Sequence, residues 1–123
     1  MIKLVYCLRR RANLSPEEFQ RYWLKTHGPK VKDAAEVLQA RRYIQSHTCG
    51  SELNQAFAAS RGLAPAYDGI TEVWWNSLEE AKAAMATPAA VEAMAKLLED
   101  ESQFIEFSQS CVFMTTEHVI FDR

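Results

Sequence analysis

Residues 1–10, MIKLVYCLRR, alternate in polarity. Ile2, Leu4, Tyr6 and Leu8 would share one face, and Lys3, Val5, Cys7 and Arg9 the other. A period of two with one apolar and one mixed face predicts a strand. The period then changes. Ser15-Pro16-Glu17-Glu18 offers a serine N-cap, a proline at the first helical position and a glutamate at N3, which is a capping box. The helix it opens would place Phe19, Trp23 and Thr26/His27 on one side. Gly28 is expected as its left-handed C-cap, with Pro29 blocking continuation. Residues 31–38 then suggest a shorter helical stretch.

Alternation returns at 40–49, ARRYIQSHTC, a second strand with Tyr43, Gln45, His47 and Cys49 on one face. Residues 51–66 look helical around Leu53–Ala59 and become a loop at Gly62 and Pro65. The turn signal Tyr67-Asp68-Gly69 introduces a third strand, GITEVWW. Ser77-Leu78-Glu79-Glu80 is a second capping box, opening a helix to about Ala86. Thr87-Pro88 starts another helix, with Val91, Met94, Ala95 and Leu98 as its apolar stripe. The acidic run Glu99-Asp100-Glu101 is expected to cap one more short turn carrying Phe104 and Phe107, and 110–121 to form a long last strand.

The order is that of an α+β, ferredoxin-like βαββαβ fold with an extra helix between strands two and three. Such a fold is a four-stranded antiparallel sheet covered by helices on one face. The strands carry apolar residues on both sides, and one chain of this size has nothing left to cover the second face. A homodimer pressed together through the open sheet faces would do so.

Composition adds limits. The 123 residues suit a single domain over 1–123, with no repeat or linker. A net charge of -2 gives no field favouring nucleic acid or an anionic membrane surface. No apolar run is long enough to span a bilayer, and the N-terminal stretch lacks the apolar core of a signal peptide. The widely spaced, odd-numbered Cys7, Cys49 and Cys111 are expected to be free thiols in a reducing cytoplasm.

Candidate chemistry centres on two histidines. His27 shares a helix side with Phe19 and Trp23 and should point toward the sheet. A helix C-terminus there would favour imidazolium and raise its pKa. It could move a proton at a carbon beside a carbonyl, or simply seal the turn by bonding the last helix carbonyls. His47 forms a polar row with Tyr43 and Gln45, suited to a pocket wall or to a solvated or dimer-facing surface. Glu72 interrupts an apolar strand, either as an acid/base of raised pKa or as structural glue paired with a histidine or an arginine from a neighbouring strand. Trp23 and Trp75, with Trp74, offer flat surfaces for an aromatic ligand or are core. No metal site is expected from His47 and Cys49 alone, and no nucleotide-binding glycine motif or serine elbow occurs.

Four segments together resemble the EthD family of the dimeric α+β barrel superfamily. They are MIKLVYCLRRRANLSPEEFQRYWLKTHGP, RRYIQSHT, YDGITEVWWNSLEEA and TTEHVIF. The helix ending in His-Gly-Pro is the most specific, and the likeness covers nearly the whole chain. The resemblance implies two chains pairing their sheets into a barrel. It also implies a mostly apolar pocket between sheet and helices that takes cyclic or aromatic ligands. Relatives include methylmuconolactone methylisomerase, polyketide cyclases and dehydratases, and cofactor-free quinone-forming monooxygenases. By the same resemblance, His27 matches a histidine implicated in the lactone isomerase. No single catalytic set is common to all, so the chemistry rests on residues.

Two functions of different kind fit. One is an enzyme without cofactor, an isomerase, cyclase, dehydratase or oxidoreductase-associated catalyst on a small cyclic or aromatic carbonyl compound. His27 would be its acid/base, His47 and Gln45 would orient the substrate, and Trp23, Tyr43, Glu72 and Trp75 would line the pocket. Related barrels hold flavin or haem without a short motif, so that option stays open beside it. The other function is a non-catalytic accessory dimer that binds such a compound. The first predicts both histidines converging on one cavity.

Overall fold

A computed structural model describes all residues, 1–123. Its sheet has four strands, β1 (Ile2–Leu8), β2 (Arg42–His47), β3 (Gly69–Trp75) and β4 (Cys111–Thr116), in the order β2-β3-β1-β4 with every neighbour antiparallel. This is the expected ferredoxin-like arrangement. The helices are α1 (Pro16–Tyr22), α2 (Gly28–Leu38), α3 (Glu52–Arg61), α4 (Leu78–Met85) and α5 (Pro88–Glu101). The caps sit where local chemistry puts them. Ser15 accepts from the Glu18 N–H while Glu18 reaches back to the Ser15 N–H, and Ser77 and Thr87 cap α4 and α5.

Register assigns the faces. Leu4 stands opposite Val73, Tyr6 opposite Thr71 and Leu8 opposite Gly69, while Tyr43, Gln45 and His47 pair with the same β3 positions. This row faces the helices. Leu8, Phe19, Trp23, Phe104 and Ile105 form the fully buried core at one end of it. Trp23 lies so close to β3 that a Cβ on Gly69 would sit 2.3 Å from its ring. The opposite row, Lys3, Val5, Cys7, Ile44, Ile70, Glu72, Trp74 and Phe113, forms the outer face.

Three expectations need correction. The first helix does not stop at Gly28-Pro29. Residues Trp23–His27 form a π turn, Gly28 is right-handed (φ -51, ψ -50), and α2 follows at once. Pro29 in a regular helix would lack the N–H owed to Lys25 and crowd its carbonyl. A wider turn just ahead of it, closed by the Gly28 N–H on the Trp23 carbonyl, relieves that crowding and lets the chain continue. The left-handed cap is Gln39, at φ 53. Second, residues 99–101 belong to α5, and Phe107 begins a separate 3-10 turn. Third, β4 ends at Thr116, because that residue pairs with Ile2 and β1 offers nothing beyond. Residues 117–123 leave the sheet, with Val119, Ile120 and Phe121 largely exposed. Helix α3 forms where expected, with Gly62 as its left-handed C-cap, and buries no residue.

Candidate functional site

Between the sheet and the helices α2 and α5 lies a mostly apolar cavity of about 1080 Å³, large enough for a polycyclic ligand. Leu4, Tyr6 and Val73 line it from the sheet, and Ala35, Met94 and Leu97 from the helices. Trp75 lies at the same wall, its indole N–H donating to the Leu38 carbonyl at 2.9 Å.

His27 lines this cavity and is 5% exposed. The π turn carries it to α5, where its Nδ1 lies 2.7 Å from Asp100 Oδ2. Asp100 is equally buried. Its other oxygen accepts from the Tyr22 hydroxyl at 2.5 Å and the Lys30 ammonium at 2.9 Å. Burial raises the Asp100 pKa, but its bonds to Tyr22, His27 and Lys30 more than offset this and hold the carboxyl below its usual range. The same contact and burial push the Tyr22 phenol up to about 12.

The His27 pKa is lowered, contrary to the helix-terminus expectation. No helix ends there to supply a negative pole. Desolvation dominates, Asp100 opposes it, and Lys30 adds to it. With Asp100 ionised and accepting, neutral His27 carries its proton on Nδ1. Its Nε2 has no protein partner and is left as a lone pair. An ionised carboxylate behind a neutral imidazole fixes the orientation of the ring and leaves its second nitrogen basic.

His47 does not join it. Its ring stacks on Trp23, with centroids 4.3 Å apart, and it stands outside the cavity wall. Gln45 holds it there, Oε1 accepting from His47 Nε2 at 2.8 Å. The Gln45 amide nitrogen donates to the Trp23 carbonyl at 2.9 Å and to the Tyr43 hydroxyl at 2.8 Å. This network fixes the π turn to the sheet, since the Trp23 carbonyl also closes that turn. Burial lowers the His47 pKa. Tyr43, Gln45 and Trp23 all reach the cavity, but the Gln45 amide is committed to protein partners.

Glu72 is on the wrong face for the expected pocket role. Its β3 neighbours Thr71 and Val73 face the helices, so it faces outward, where it pairs with Lys3 at 2.6 Å. Its partner is a lysine on the adjacent strand, not the histidine or arginine expected. No three His, Cys, Asp or Glu side chains cluster as metal ligands would.

Sequence reading missed two carboxyls. Asp100 and Glu101 sit together at the end of α5, and the acidic run masked them as a solvated cap. Glu101 lines the cavity beside Tyr6. The inward face of α5 carries Ala90, Leu97 and Asp100, whereas Val91 and Leu98 of the expected stripe are more than half exposed, so the period that would have flagged Asp100 lies one position away from the expected one.

The EthD domain matches residues 11–108. Among solved structures, an EthD family protein from Bacillus halodurans is 16% identical, with a TM-score of 0.63 over 96% of this chain and 99% of that one. A dimeric protein of unknown function and ferredoxin-like fold from Bacteroides fragilis is 10% identical, with a TM-score of 0.57 over 93% of each chain. SnoaB, a cofactor-independent oxygenase from Streptomyces nogalater, is 11% identical, with a TM-score of 0.51 over 99% of this chain and 97% of that one. No curated protein matches the sequence. At these identities the structural likenesses speak to the fold. The domain match covers most of the sequence, and the chain belongs to the EthD family.

Proposed function

We propose that the chain is a cofactor-independent enzyme that moves a proton on a small cyclic or aromatic carbonyl compound, within a degradative or secondary-metabolite pathway. One observation carries the reading. His27, oriented by the buried Asp100, lines a mostly apolar cavity, and its Nε2 has no hydrogen-bond partner in the chain. Nε2 would take a proton from a carbon beside the carbonyl, and Asp100 would stabilise the imidazolium that forms. Return of that proton at another position gives isomerisation, cyclisation or dehydration. A carbanion so formed could also react with O₂, and the fold's likeness to the cofactor-independent oxygenase SnoaB is compatible with that branch. Trp23, Tyr43 and Trp75 would contact the ligand, while His47 and Gln45 act through Trp23 as positioning residues.

The working form would be a homodimer joined through the outer sheet face, as the B. fragilis relative is described as dimeric. The three unpaired thiols suit a reducing cytoplasm.

The test combines titration and exchange. The His27 imidazole is followed by NMR with and without a panel of lactones and quinones. Exchange of their acidic C–H groups into D₂O is then measured for wild type and His27→Gln. Expected are a His27 pKa below the usual value of about 6.5, a shift on ligand binding, and loss of exchange in the variant. A normal His27 that ignores every ligand, with equal exchange in both proteins, would refute the reading.

A second reading is a non-catalytic ligand-binding dimer. It is favoured by the apolar cavity wall and by the mutual satisfaction of Gln45, His47 and Tyr43. Its signature is ligand binding without exchange.

A further inference from the structure

We propose that Glu101 is the proton donor of the same cavity, acting as acid to His27 as base and recognising the ligand by its carbonyl oxygen. The inference rests on the reading of His27 above. Consecutive residues on a helix point about 100° apart. Asp100 therefore turns to His27, Tyr22 and Lys30, while Glu101 turns to the cavity beside Tyr6 of β1. The Glu101 backbone is anchored, its carbonyl accepting the N–H groups of Phe104 and Ile105 at 3.1 and 2.9 Å.

A buried carboxyl kept for structure is ordinarily paired with a cation. Asp100 on Lys30 is this chain's own example. Glu101 has no such partner. Lys32, Arg41 and Arg42 line the same cavity, but none forms an ion pair with it. Arg42 instead stacks on Trp74, 4.8 Å from the ring centre. The groups facing Glu101 are the phenol of Tyr6 and the ionised carboxylate of Asp100, with Tyr43 farther along the sheet. Burial raises the Glu101 pKa, Tyr6 partly offsets it, and Asp100 raises it further. Two adjacent carboxyls are thus driven in opposite directions, the arrangement that separates an acid from an ionised partner.

The step balances without a co-reactant. The C–H bond beside the carbonyl breaks and its proton goes to His27 Nε2. The electron pair forms a C=C bond, the carbonyl π pair moves to oxygen, and that oxygen takes the proton of the Glu101 carboxyl. The product is a neutral enol between imidazolium and carboxylate, and reversal at a second carbon completes an isomerisation. The ligand class is a neutral cyclic ketone or lactone with an acidic neighbouring C–H.

The probe is 2-tetralone, with its exchange into D₂O followed by proton NMR across pH for wild type, Glu101→Gln and His27→Gln. Glu101→Gln should exchange the ketone on the order of 10²-fold more slowly and lose the alkaline limb of the pH profile. His27→Gln should lose exchange at every pH. Wild-type exchange in Glu101→Gln, with none in His27→Gln, overturns the role of Glu101 and leaves His27 standing. Equal exchange in wild type and His27→Gln, or no exchange by either, overturns both. A ligand-free titration of the carbon-13-labelled Glu101 carboxyl in the wild-type protein stands apart from any folding defect. A midpoint at or below the ordinary carboxylate value overturns the proposal by itself.

Discussion

Asp100 receives three donors on two oxygens, and each donor comes from a different turn of the α1–α2 segment: Tyr22, His27 and Lys30. Asp100→Asn keeps the shape and removes the charge. The amide accepts on one atom only, so the buried site loses at least one charge-assisted bond. A loss of about 2–3 kcal/mol is expected in urea denaturation. Asp100 also holds the His27 pKa up against burial, so the variant should titrate His27 lower still by NMR. An upward move would show that Asp100 is not the ionised acceptor. His27 was legible in the sequence because it shares a helical side with Phe19 and Trp23. Asp100 was not, because its partner lies 73 residues away, and a run of three acids read locally looks like a solvated helix end.

The elements were legible where one cap or one period decides them. Ser15, Ser77 and Thr87 start helices, and β3 begins and ends where its turn signals say. The reading failed at Gly28-Pro29, because local rules treat that pair as a stop. Tertiary bonds decide otherwise. The Gln45 amide reaches the Trp23 carbonyl from β2, and a Cβ on Gly28 would come to 3.3 Å of its nitrogen. Gly28 is thus there for close approach in a continuing helix. Gly69 has the same duty more strictly, because a methyl group there meets both the Trp23 ring and the Ser46 carbonyl. Gly69→Ala should destabilise by about 1–3 kcal/mol and alter the near-ultraviolet dichroism of Trp23. Gly28→Ala should cost less, because the end of a side-chain amide can move. Equal losses in the two variants would mean that the π turn, and not Trp23 packing, sets the tolerance.

For the whole molecule, pH links the site to stability. Asp100 and His27 both have lowered pKa values in the fold, so the unfolded chain binds more protons and acid favours unfolding. The His27 contribution is complete above about 6.5 and is lost as pH falls through its folded value. The Asp100 contribution follows below about 3.9. His47 acts in the same window as His27. Glu101, raised, has the opposite sign, and its contribution is lost as pH rises through its folded value. Urea midpoints should therefore fall on acidification from about pH 6.5, and less steeply in His27→Gln. The outer sheet face bears on the proposed homodimer. Val5, Cys7, Ile70 and Phe113 lie together there without cover from this chain, and Phe113 is 49% exposed. Two copies meeting on this face would each bury Phe113, so one substitution is felt twice in a two-fold dimer. Phe113→Lys should weaken the dimer by roughly 10- to 10³-fold in sedimentation equilibrium, with far-ultraviolet dichroism unchanged. The cavity lies on the opposite face, so the variant should still bind ligand. An unchanged dimer would move the interface elsewhere, to the exposed Leu53 and Phe57 of α3 or to the apolar tail at 119–121.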